Sequence, residues 1–153
     1  MIARYVETLF CDDIRHEMGG KLSFIGVYSG ELLVPAFPVT LPKLCLFVNT
    51  LTPAEEPFRS LNLRLLKDTE IVQEIASDEA QLTALSDSAK DLTIEQRKMG
   101  VLANQVTATF SPMRFDGPCT LSVRVRTEDG ELHGKGLKVD QAQPPVDAVP
   151  KQT

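Results

Sequence analysis

The densest run of chemistry-bearing side chains is Cys11, Asp12, Asp13, Arg15, His16 and Glu17. Thiolate, imidazole and carboxylate are all zinc ligands, so Cys11, Asp12, Asp13 and His16 form a candidate metal site, hydrolytic or structural. The spacing follows no compact metal motif: the chain has neither CxxC nor HExxH. In an extended backbone Asp12 and Asp13 point to opposite faces. General acid–base work, with one aspartate as base and His16 as acid, needs both groups in one cleft with separated pKa values, and adjacency in sequence does not supply a cleft. The plainer reading is a strand end entering a loop, where Asp side chains bond nearby amides and Arg15 pairs with a carboxylate.

Two further patterns invite chemistry. Cys11, Cys45 and Cys119 would make a zinc site with His16 or His133 if the strands brought them together. Cys45, set between Leu44 and Leu46, reads instead as a small buried hydrophobe. Nucleophilic use would require a neighbouring histidine and a depressed pKa. Gly19-Gly20-Lys21 resembles the end of a phosphate loop, but Leu22 follows where Ser or Thr is needed, and a strand rather than a helix begins there. No cofactor is implied.

Composition narrows the partners. The 153 residues carry a net charge of −5, the wrong sign for phosphate neutralisation by clustered Lys and Arg. Nucleic acid and anionic membrane surfaces are therefore disfavoured. The most apolar stretch, Leu32 to Val48, is interrupted by Pro35, Pro38, Pro42 and Lys43, short of the roughly 20 apolar residues of a spanning helix. The first residues have no apolar signal region, and three widely spaced cysteines suggest no disulfide framework. A cytoplasmic location is expected, or a virion if the gene is carried by a phage. With 42% hydrophobic and 24% charged residues, the chain fits one globular domain.

The elements that must position these residues read at the period of strands. From Thr120 to Thr127, Leu121, Val123 and Val125 alternate with Ser122, Arg124 and Arg126, one face buried and one wet. Glu128-Asp129-Gly130 turns the chain into a strand from Glu131 to Val139. Phe58 to Leu66 and Ile71 to Ala76 make a second hairpin around Lys67–Glu70. Ala3 to Cys11, Lys21 to Val34 (bent at Gly26 or Gly30), Leu41 to Thr50 and Gln105 to Phe110 are further strands. The Leu41 to Thr50 segment is apolar on both faces, as a central strand would be. Ser77 to Lys90 departs from this pattern: Leu82, Leu85 and Ala89 approach helical spacing, and Asp78 with Gln81 can cap a short helix; a long crossing loop is the alternative. The expected architecture is mainly β, an antiparallel β-sandwich of about seven or eight strands over residues 1–140, with a closed barrel as its rival. Residues 141–153, with Pro144, Pro145 and Pro150, read as a mobile tail.

Two surfaces are candidates for interaction. Leu32 to Pro42 packs Val34, Phe37 and Val39 among three prolines; it covers the end of the core or, failing that, presents an apolar patch. Arg124 and Arg126 form an outward strip that is either a binding strip or a solvated face. The expected role is a non-enzymatic interaction or structural module, pairing with a protein partner or with itself. The run Cys11-Asp12-Asp13-Ile14-Arg15, then Glu17, Gly20-Lys21, Ser23 and Ile25-Gly26-Val27-Tyr28-Ser29-Gly30, with Leu41-Pro42-Lys43-Leu44 later, resembles the opening of an uncharacterised family of small bacterial and phage-borne proteins. That resemblance implies a bacterial or prophage origin and supplies no catalytic residues.

Overall fold

The computed structural model describes residues 3–144. The chain runs through β1 (Tyr5–His16), β2 (Leu22–Val27), β3 (Glu31–Val34), β4 (Val39–Leu41), β5 (Leu44–Pro53), β6 (Leu61–Lys67), β7 (Glu70–Ala76), α1 (Glu79–Lys90), α2 (Ile94–Met99), β8 (Val101–Phe110), β9 (Met113–Phe115), β10 (Cys119–Thr127), β11 (Gly130–His133) and β12 (Leu137–Gln141). Two sheets face each other. The first has the order β2-β1-β5-β8, antiparallel throughout. The second has the order β3-β12-β10-β6-β7, with β11 continuing the β12 side of β10. β4 and β9 form a separate two-stranded ribbon. Both main sheets end in open edges, so this is the mainly-β sandwich and not a closed barrel.

Alternation builds the core. Leu61, Leu63 and Leu65 of β6 meet Leu121, Val123 and Val125 of β10 on the inner face of the second sheet, joined by Leu137 and Val139 of β12 and Leu32 and Val34 of β3. The first sheet contributes Phe10, Leu44, Leu46 and Val48, with Val106, Ala108 and Phe110 packed beside them. Phe115 of the ribbon is fully buried in the same cluster. Both helices start in capping boxes: Asp78 accepts from the Gln81 N–H and Thr93 from the Gln96 N–H, each glutamine reaching back to the cap backbone. Leu82 of α1 joins the main core, and Ala89 packs on Ala54 and Leu102.

Several expectations are corrected. There are twelve strands among the described residues rather than seven or eight, and β3 pairs with β12 in parallel, so the sandwich is not wholly antiparallel. The Lys21 to Val34 segment is two strands in different sheets, divided around Gly30, whose φ is +110°. The strand read from Glu131 to Val139 is broken at residues 134–136. A side chain at Gly134 would collide with Thr8 Cγ2, and one at Gly136 with the Leu121 carbonyl, because this link between two strands on the same side of β10 packs closely on β10 and against β1 of the other sheet; Thr8 Oγ1 donates to the Lys135 carbonyl at 2.5 Å there. Gln141, placed in the tail by sequence, ends β12, and the Ala142 N–H still donates to the Val34 carbonyl. The rest of the expected tail, from residue 145 on, lies outside the described residues. No helix among them is long and apolar enough to cross a membrane.

Candidate functional site

The β1 cluster is dispersed by the strand that carries it. Cys11 is fully buried, opposite Cys45 in the β1–β5 register, and its thiol donates to the Asp13 carbonyl at 3.4 Å. Burial, and secondarily the proximity of Cys45, push the Cys11 pKa up to about 11, so it holds its proton at neutral pH, contrary to what an activated nucleophile needs. Asp12 accepts a 2.6 Å hydrogen bond from the Tyr28 hydroxyl; burial and this carboxylate raise the Tyr28 pKa to about 12. Asp13 accepts from Lys43 Nζ at 2.8 Å, which holds its carboxyl below the usual range. His16 is exposed at the end of β1, paired in register with Leu22. Cys119 is buried in the main core. Among the described residues no three of His, Cys, Asp and Glu gather as metal ligands would. The cluster is a strand end tied to its neighbours, and Gly26 is part of the tie: its φ is +67°, and a side chain there would strike the Asp12 carboxylate.

The proline-rich segment covers the core. Val34 is 2% exposed, and Phe37 and Val39 pack against the same cluster. Of the two readings of this loop the geometry is that of core cover, so Val34, Phe37 and Val39 have little free surface to offer. The outward placement of Arg124 and Arg126 agrees with the strand alternation. Arg124 stands directly between Arg64 of β6 and His133 of β11. Arg126 is in register with Asn62 and Glu131.

Sequence alone missed a second surface, the outward face of the first sheet. The residues of β5 opposite its core-facing set are Cys45, Phe47, Asn49 and Leu51. In register with them on neighbouring strands lie the apolar Tyr5, Leu9, Cys11, Val27 and Ala103 and the polar Glu7, Gln105, Thr107 and Thr109. Phe24 of β2 packs its ring on Phe47 at 5.1 Å. Tyr5, Val27 and Val101 remain 43%, 51% and 43% exposed. Asn49 donates to Glu7 at 3.0 Å, but its own carbonyl oxygen is buried without a partner. The available signal was the two-sided apolar pattern of β5, which sequence explains equally well by centrality in a sheet.

Comparison with known proteins places the chain by family. Neither the curated proteins nor the solved structures contain a match to it. A family of unknown function (DUF6941) matches residues 7–140, nearly all of the described fold, and the chain belongs to that family.

Proposed function

We propose that the protein is a non-enzymatic interaction module that presents the outward face of its first sheet to a protein partner, a second copy of the chain included. The carrying observation is that the outward face of this sheet gathers Leu9, Phe47 and Leu51 with the exposed Tyr5, Val27 and Val101, beside a polar strip of Glu7, Asn49, Gln105, Thr107 and Thr109. An antiparallel sheet with one solvated face ordinarily alternates apolar inside and polar outside. Here Tyr5, Val27 and Val101 leave apolar surface in water, at some cost in solubility unless another molecule covers it. The strands that bear it form one continuous antiparallel ladder, which suits a docking face better than a loop does. The resemblance of the opening block to bacterial and phage-borne proteins adds an origin to this reading: a cytoplasmic adaptor, or a virion component where the gene is phage-borne.

Light scattering over a concentration series tests the self-association form. The expected result is a mass that rises above one chain and returns to one chain in Val27→Asp. A constant monomer that also fails to bind a hydrophobic dye would overturn the proposal.

A further inference from the structure

We infer that the outward face of the second sheet is a separate docking surface for an acidic peptide segment of a protein partner. This rests on the interaction-module reading and names a partner chemistry for it, on a different sheet. Three guanidinium groups crowd this face. In one row across the strands stand Glu74, Arg64, Arg124 and His133; in the next stand Asn62, Arg126 and Glu131. Adjacent strands are about 4.8 Å apart, so Arg124 has a cation on one side and a titratable imidazole on the other. Like charges directly opposite one another destabilise a sheet.

The carboxylates present do not resolve this crowding. Glu131 is shared among Arg64, Arg126 at 3.8 Å and His133 at 3.4 Å. Glu74 accepts from Asn62 Nδ2 at 2.7 Å. Arg124 forms no ion pair among the described residues; its guanidinium donates only to the Val123 carbonyl of its own strand, at 3.1 Å. The Arg64 Nε, buried, has no acceptor. A chain of net charge −5 thus concentrates excess positive charge on one rigid sheet face. The complement of that face is a carboxylate-bearing chain, which can take Arg124 and the exposed Arg126 as charge-assisted, fork-like donors. On a molecule of net charge −5, a small group of arginines fits a carboxylate-bearing peptide better than a nucleic acid backbone, whose binding draws on neutralisation of many phosphates.

The experiment is fluorescence anisotropy of a labelled octaglutamate peptide with the full chain at low salt. Octalysine and single-stranded oligothymidylate of the same length serve as comparison probes. Octaglutamate alone is expected to bind, more weakly as salt rises. Arg124→Gln and Arg126→Gln should each weaken it about tenfold without lowering the melting temperature. Glu131→Gln, which removes the competing carboxylate, should bind several-fold more tightly, an effect that a purely structural role for these residues would not produce. Equal binding by wild type and Arg124→Gln, no binding at low salt, or tighter binding of oligothymidylate would each overturn the assignment. Self-association through the first sheet would survive any of those results, so the two readings fail separately.

Discussion

Arg4 shows how much one side chain near the chain start can hold. Its guanidinium donates to Glu128 at 2.6 Å, Asp129 at 3.0 Å, Thr52 Oγ1 at 2.9 Å and the Glu56 carbonyl at 3.0 Å, and lies 4.7 Å over the Phe58 ring. Its side chain is 9% exposed and that of Glu128 13%. Removing one partner of such a pair leaves the other charge buried and uncompensated, so Arg4→Ala should cost about 3 kcal/mol in urea unfolding. Burial alone would raise the Glu128 pKa, but the Arg4 guanidinium and the N–H groups of Ser60 and Arg59 outweigh it and leave it lowered. The folded state therefore favours the carboxylate. This stabilisation is present above the pKa of the unfolded glutamate and is lost as pH falls through the lower, folded value. Stability should decline on acidification, and less steeply in Glu128→Gln.

Cys11 has the opposite sign. Its thiol ionises near pH 9 when unfolded and near 11 when folded, so between those values the folded chain keeps a proton that the unfolded chain releases. Stability is then lost as pH rises from about 9 to 11. The fall measured by denaturant titration at several pH values should be shallower in Cys11→Ala. Cys119, whose pKa burial also raises, and Tyr28 keep it from vanishing.

At the scale of elements, α1 depends on its start. Asp78 accepts from Gln81 N at 2.7 Å, and Gln81 Oε1 accepts from Asp78 N at 3.1 Å. Only Leu82 and Ala89 of this helix are buried, so little packing replaces a lost cap. Asp78→Ala should cost about 1 kcal/mol, and amide exchange should speed up in α1 before it does in β10. The Asp78/Gln81 signal was legible in sequence. The same signature at Thr93 and Gln96 was overlooked, and α2 with it, because a six-residue helix with no buried residue leaves no hydrophobic period to notice. The short ribbon strands β4 and β9, three residues each, escaped for the related reason that three residues are too few to show alternation.

At the scale of the whole molecule, stability comes from the layer between the sheets. Phe115 is fully buried there although its ribbon belongs to neither main sheet, and it acts as a plug at the sandwich end. Phe115→Ala should cost roughly 3–5 kcal/mol, read as a fall in urea midpoint; Ile71→Ala, on an exposed edge strand, should change it by less than about 1 kcal/mol.

The sequence by itself determined the class of fold, the two hairpins, the inward sets Leu61, Leu63, Leu65 and Leu121, Val123, Val125, and the outward placement of Arg124 and Arg126. These depend only on period-two alternation and on turn residues, which are local. Tertiary structure alone decided that Gly30 sends β2 and β3 to different sheets, that β3 joins β12 in parallel, and that Val34, Phe37 and Val39 face the core. It also decided that Cys11, Asp12, Asp13 and His16 never converge, and that Arg64, far from Arg124 in sequence but beside it in register, completes the arginine face. Pairing between strands is set by which buried faces fit together across long stretches of chain, and no local pattern encodes that.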